Sequence, residues 1–345
     1  EALDQSGIIL TTTKVNAADA KTTPSDSDVF PLLDSSASYG LKKSSWANVK
    51  AALKTYFDTL YPLLSGGKVP TSQLGSGTAN SGSYLRGDQT WATVAEGREK
   101  LTANRTYYVR TDGNDANTGL ANTSGGAFLT IQKAVDVAAS LDTLIYNVTI
   151  QISAGTYASP ITCKQCVGAG TVTIIGNETT PANVVTNGGG AFHSKGIQTK
   201  YIIKGIKGTG TGSFVNASMN SAIEFQNCEI ANTGQQIRAE DGGIITATGN
   251  YEIVSGASSS VAAVGGGVIR VQGRTITLIN TPAFSIFCDV NVAGKIFFNS
   301  NTFIGSATGI RYYLQLNSVC LTNGAGPTYI PGNTDGVSIT GGQYA

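Results

Sequence analysis

Few residues in this chain have the chemistry of a catalyst or a ligand, and the most suggestive are two glutamates. Glu229 and Glu252 each stand two residues after the marker of a repeated frame, Asn227 and Asn250. If the register holds, they face outward on neighbouring strands about 4.8 Å apart. Glycoside hydrolysis uses such a pair, one carboxyl donating a proton while the other attacks or activates water. Like charges that close also push one pKa up, which separates the acid from the nucleophile. The opposing reading is a plain polar row, because Thr275 and Asn301 occupy the next equivalent places. The pair is therefore a candidate and no catalytic residue is assigned. Glu240-Asp241 reads as an exposed turn before Gly242-Gly243, and Asp289 as part of a short connecting run. Tyr312, Tyr313 and Tyr329 are candidates for stacking on sugar rings, although tyrosine on a β surface is more often structural.

Ligand chemistry for a metal is sparse. Cys163-Lys-Gln-Cys166 is a lone C-x-x-C with no second ligand pair, and His193 is the only histidine. The five cysteines, an odd number without framework spacing, read as buried apolar thiols. Asp112, Asn114, Asp115 and Asn117 have the look of a calcium loop, but the Gly and Glu that an EF-hand needs at their offsets are missing. Turn chemistry is the preferred reading. No metal and no cofactor are expected.

The elements that must position these residues come from a frame repeated through residues 221–321. Its copies contain Ile223-Glu-Phe225-Gln-Asn227, Ile245-Thr-Ala-Thr-Gly-Asn250, Ile269-Arg-Val271-Gln-Gly273, Ile296-Phe-Phe298-Asn299 and Leu314-Gln-Leu316-Asn317. Each pairs a short β-type alternation with one Asn or Gly, the residues that tolerate a left-handed backbone. The markers Asn227, Asn250, Gly273, Asn299 and Asn317 follow one another at intervals of 23, 23, 26 and 18 residues. A loose period of this size without helical pattern predicts a β-solenoid. A β-sandwich of short strands is the competing fold. In the solenoid, the markers lie above one another with their Asn side chains forming a ladder. Ile223, Phe225, Ile230, Ile253, Ile269, Val271, Ile276, Phe298, Leu314, Leu316 and Leu321 fill the core.

Composition agrees with an extended β surface. Charged residues are only 13% of the 345, and 43 are Gly. A formal net charge of +1 gives no electrostatic case for nucleic acid or an anionic membrane. No apolar run is long enough to span a bilayer, and no signal-peptide pattern opens the chain, whose first residue is Glu1 and not Met. Three regions are expected: 1–64, with an amphipathic helix at about 45–61; a Gly/Ser-rich connector, 65–105; and the solenoid, 106–345. The first helix places Trp46, Val49, Leu53, Tyr56, Phe57 and Leu60 on one stripe, to be hidden either within its own region or in a bundle with other chains. Ile131, Val135, Ala138 and Leu141 give a second helix, at about 130–141, an apolar side that can cover the open first coil.

Three stretches carry a family resemblance. Leu74-Gly-Ser-Gly-Thr-Ala-Asn-Ser-Gly-Ser-Tyr-Leu-Arg-Gly-Asp-Gln-Thr-Trp91 resembles a sequence found in bacteriophage tail fibres and tail-collar proteins, and Val29–Asp34 with 41–57 looks like its upstream part. The Arg86-Gly87-Asp88 triplet within it reads as a simple turn. Tyr107-Tyr-Val-Arg-Thr-Asp-Gly-Asn-Asp-Ala-Asn-Thr-Gly-Leu120 with 128–135 resembles the opening of pectin-lyase-like right-handed parallel β-helices of phage tail spikes. The ending, 329–345, resembles the C-termini of the same proteins. The resemblance implies a homotrimeric virion tail fibre or spike. Its N-terminal region would join a baseplate or other tail protein, and its surface would bind a host glycan or protein receptor. Two alternatives stay open, a polysaccharide depolymerase spike and a secreted bacterial adhesin; an adhesin calls for an export signal.

Overall fold

Sheet register explains the architecture, and in residues 97–345 every strand pairing is parallel. The computed structural model describes residues 2–3, 9–10, 21–38, 40–61, 68–70, 72, 74–93 and 97–345. The chain falls into two compact units, 1–96 and 97–345. The second is a parallel β-solenoid of about eight turns.

Each turn visits three strand positions. Sheet A stacks ten strands in sequence order, from Arg105–Val109 through Tyr201–Lys204 and Ala222–Gln226 to Gln343–Tyr344. Sheet B carries Lys207–Gly210, Cys228–Asn232, Tyr251–Ile253, Thr275–Leu278 and Thr302–Ile304. Sheet C carries Val215–Ser218, Gln235–Glu240, Ala257–Val264, Ala283–Val290, Thr308–Leu314 and Val337–Ser338. Two longer strands of the early coils, Gly155–Thr162 and Val184–Lys195, run through both B and C, with a register shift between Gly188 and Phe192.

Alternation fills the interior one column at a time. On sheet A the residues at one register position are Val148, Val172, Tyr201, Ile223, Ile245, Ile269, Ile296 and Cys320, all buried. Sheet C opposes them with Phe192, Val215, Ile237, Val261, Cys288 and Tyr312. A fully buried Ile contributes about 2–3 kcal/mol, so the stack is held by repetition of one modest term. Nine of the eleven core positions expected from sequence are buried. Leu321 is only partly buried, and Leu316 is 43% exposed because it lies in a turn and not in a strand.

The turns from C into A share one geometry. Met219-Asn220, Asp241-Gly242, Gly265-Gly266, Val292-Ala293, Leu316-Asn317 and Thr340-Gly341 all have both residues at positive φ, the signature of a type I′ turn. The next residue must be small, because the carbonyl of an earlier coil lies against it. A Cβ on Gly243, Gly267 or Gly294 would sit 2.0–2.2 Å from the carbonyl oxygens of Ala217, Ala239 and Ala263. Where serine takes that place, its hydroxyl donates to the crowding carbonyl: Ser221 Oγ to Ser194 O at 2.7 Å, and Ser318 Oγ to Val290 O at 2.9 Å.

The helix Ile131–Ser140 lies against the first coils with Ile131, Ala134, Val135 and Ala138 buried. Thr130 caps it by accepting from Lys133 N at 3.2 Å. Asp115 accepts from Leu129 N, Thr130 N and Thr130 Oγ1 at 2.8–2.9 Å, so the suspected calcium carboxylate is spent on the helix start. Asp112 pairs with Arg110, and Asn117 donates to the carbonyls of Ser124 and Ala127.

In the first unit, Val29–Asp34 and Gly40–Ser45 form an antiparallel hairpin that leads into the helix Trp46–Leu60, capped by Ser45. No residue of that helix is buried; Leu53, Tyr56, Phe57 and Leu60 are 45–59% exposed. Ser83–Leu85 and Trp91–Thr93 form a second hairpin, whose tight turn holds Arg86-Gly87-Asp88 by Thr90 N and Oγ1 donating to Asp88.

Gly267→Ala should lower stability by about 2 kcal/mol or more, since backbone and not a movable side chain opposes the new methyl. Thermal melting checks it, with Gly266→Ala, which meets nothing within 4 Å, showing the smaller cost of a left-handed φ alone.

Candidate functional site

A cleft of about 410 Å³ lies over sheet B, between the strands and the loop 177–183. The loop approaches because the corner beneath it is Gly205 at φ +60°, where a Cβ would sit 2.4 Å from the backbone of Asn177 and Glu178. Asn177 Oδ1 accepts from Thr179 N and Thr180 N and folds the loop over. Glu178 is thereby brought to the cleft wall, where its carboxylate accepts from Gln226 Nε2 and Asn227 Nδ2 at 2.8 and 2.7 Å.

Glu229 and Glu252 are register partners on adjacent strands of sheet B and both line this cleft. Lys207, the register partner of Glu229 on the previous coil, donates to its carboxylate at 2.5 Å. That side chain is 13% exposed. Glu252 is exposed, and its carboxylate makes no hydrogen bond or ion pair among the described residues. The floor is thus one lysine-held carboxylate beside one free carboxylate, with threonine at 275 and 277 continuing the wall. Such a surface offers acceptors and hydroxyls to a polyhydroxylated ligand.

The marker residues divide between two corners. Asn227 N donates to Asn250 O at 2.8 Å and Gly273 N to Asn299 O at 3.1 Å, which keeps those four at the A-to-B corner. Asn317 lies instead at the C-to-A corner, because Leu314 ends a sheet C strand and the next sheet A strand begins at Val319. No Asn-to-Asn ladder forms among them. The Asn227 amide is taken by Glu178, and Asn250 Oδ1 accepts from Thr275 N at 2.9 Å.

The tyrosines separate likewise. Tyr312 is 8% exposed and stacks on Tyr344 at 4.5 Å, inside the last coils. The Tyr329 hydroxyl donates towards Phe298 O at 2.8 Å and accepts from Asn301 N at 2.8 Å, closing a loop. Both are structural. Tyr313 is on the outer row of sheet C, in register with Asp289.

That outer row brings together His193, Asp289 and Tyr313, which the sequence reading treated separately, with Asn216 and Arg238, which it did not single out. His193, Asn216, Arg238, Ala262, Asp289 and Tyr313 follow one another coil by coil. Arg238 Nη2 donates to Glu240 at 2.6 Å, and Asn216 Nδ2 donates to the same carboxylate at 3.3 Å. Burial pushes the Asp289 carboxyl up, and the Arg238 charge partly offsets this. Burial holds His193 below the usual imidazole range against the pull of Glu240, and its Nε2 has no partner. The signal was an interval of about 23 residues between His193, Asn216 and Arg238, hidden because the residue types differ.

All five cysteines are free and buried, and burial raises the Cys228 thiol to about 12. Among the described residues, no three His, Cys, Asp or Glu side chains gather closely enough to hold a metal ion, and no helix is long and apolar enough to cross a membrane.

Because the folded state raises the Asp289 pKa, its contribution is fully favourable below the unfolded value near 4 and is lost as pH rises. Asp289→Asn should therefore raise the melting midpoint at pH 7 by about 1–3 °C, with the gain vanishing below pH 4. Melting curves across that range read it directly. No family model, curated protein or solved structure matches this chain.

Proposed function

We propose that this chain is a subunit of a bacteriophage tail fibre or spike that presents a receptor-binding surface to a host envelope. The observation that carries the reading is the uninterrupted parallel stack, covered at one end by Ile131–Ser140, which resists local opening coil by coil. A right-handed winding and assembly as three parallel copies go with this reading. So does attachment to a baseplate or another tail protein through the N-terminal region. The wholly unburied helix Trp46–Leu60 supports assembly, since three such stripes turned inward form a bundle. The polar, hydroxyl-rich walls of the solenoid suit a glycan or protein receptor held by many shallow contacts.

Antibody raised against residues 97–345 should decorate the tails of virions that carry this protein and reduce their adsorption at least tenfold. Labelling of heads alone, or none, would reject the assignment.

A second reading, a polysaccharide depolymerase, is favoured by one observation: the in-register Glu229 and Glu252 in the sheet B cleft. It requires that purified protein clear a halo on a host lawn. Under this reading Glu252→Gln lowers that activity at least 100-fold, and retention of the halo would remove the pair from the chemistry.

A further inference from the structure

Apolar side chains left in water on the solenoid are not scattered. Residues 97–345 expose ten large hydrophobic side chains. Seven of them belong to one edge, the corner from sheet C into sheet A. Leu144 and Ile145, which lead from the helix Ile131–Ser140 into sheet A, continue it beneath Val167, whose carbonyl accepts from Thr143 N at 2.8 Å, and Met219 lies over Gly196. Val292, Leu316 and Ile339 occupy it on three successive late coils. They are 42–76% exposed.

Backbone conformation singles out the same edge. Among the described residues, the apolar non-glycine residues with positive φ are Leu144, Met219, Val292, Ala293 and Leu316, and all five lie here. A left-handed backbone disfavours any side chain and β-branched ones most, while Asn, Asp and Gly fill it at little cost, as Asn220, Asp241, Gly242 and Gly265 do in the same turns. Placing Val292 at φ +46° and turning it to water gains the single chain nothing in its own core. The apolar residue makes sense only against something outside the chain.

The shape of the edge says what. On the late coils Val292, Leu316 and Ile339 follow one another at a strand spacing of about 4.8 Å and make a short ridge parallel to the solenoid axis, separated from Met219 by two coils that turn on Asp241-Gly242 and Gly265-Gly266. A partner wound with the same repeat in the same direction meets it coil by coil; a folded surface of another kind does not repeat at that interval. With about half of each side chain in water, on the order of 60–70 Å² apiece, the seven together leave roughly 450 Å² of apolar surface along this edge, in an early and a late group. This is a large share of the ~800 Å² per partner that a stable interface buries.

We infer that the C-to-A corner is the seam along which copies of this chain associate, in parallel and in equal register, about a common axis. The inference rests on the reading of parallel assembly above and gives it a surface, distinct from the helix Trp46–Leu60. Equal register places the same residue of each copy next to itself at the axis.

The test uses the full chain, whose native thiols are all buried and do not interfere. Leu316→Cys under a mild oxidant should convert at least half of the chains into reducible dimers on a denaturing gel. Thr277→Cys, on the outer face of sheet B, should give at least tenfold less. The double variant Val292→Asn, Leu316→Asn keeps the left-handed turns comfortable and should fold, yet its multimer should dissociate at a concentration at least tenfold higher by sedimentation. A wild-type multimer that neither cross-links through position 316 nor weakens with the asparagines overturns the seam and leaves the assembly reading standing. A wild-type monomer overturns both.

Discussion

Strict coil-to-coil register is the constraint on which everything else in the solenoid depends. Parallel strands of one sheet share their hydrogen bonds only if each coil returns to the same height and phase, and a slip of one residue would send an entire column of side chains to the wrong face. Register therefore decides both stability and surface. The column from Val148 to Cys320 is inside for the same reason that Glu229 and Glu252 are neighbours outside. An outward row is a consequence of the inward one.

The three corners keep that register by different means. From A to B, a single residue bends the chain, with Gly205 and Asn227 left-handed and Gly273 again on a later coil. From C to A, two residues turn together, and the tight return presses the following backbone onto a carbonyl of an earlier coil. Glycine relieves that contact by absence and serine by donating a hydrogen bond into it. Sheets B and C meet differently: in the early coils two continuous strands cross the bend, and Gly188 at positive φ marks the place where one of them changes register. A coil can vary in length at its loops, as 177–183 does, provided its corners come back into place.

Loops and outer rows then supply the chemistry that the core leaves free. The Glu178 carboxylate comes to sheet B only because its loop can rest on Gly205. Lys207 neutralises Glu229 because both occupy one outward row, and Arg238 holds Glu240 within a single strand. The cleft and the polar row of sheet C present hydrogen-bonding groups along the axis, an arrangement suited to chain-like or repetitive ligands. The exposed apolar residues at the corner into sheet A add a different surface to the same coils.

The sequence by itself determined the winding, because a dry core forces alternation and a stacked coil forces a period, and both show in Ile223, Phe225, Ile245 and Ile269. It also determined the adjacency of Glu229 and Glu252, since equal distance from equivalent bends means equal height. What only the tertiary structure decided were features that depend on which corner a residue occupies. Leu314-Gln-Leu316-Asn317 has the local pattern of the repeat, yet Leu316 and Asn317 form a different turn, as the preceding strand belongs to sheet C. Likewise nothing local distinguishes Tyr329, which closes a loop, from a tyrosine that faces water. Alternation reports which side of a strand a residue takes. Only the path of the chain around the axis reports which strand it is.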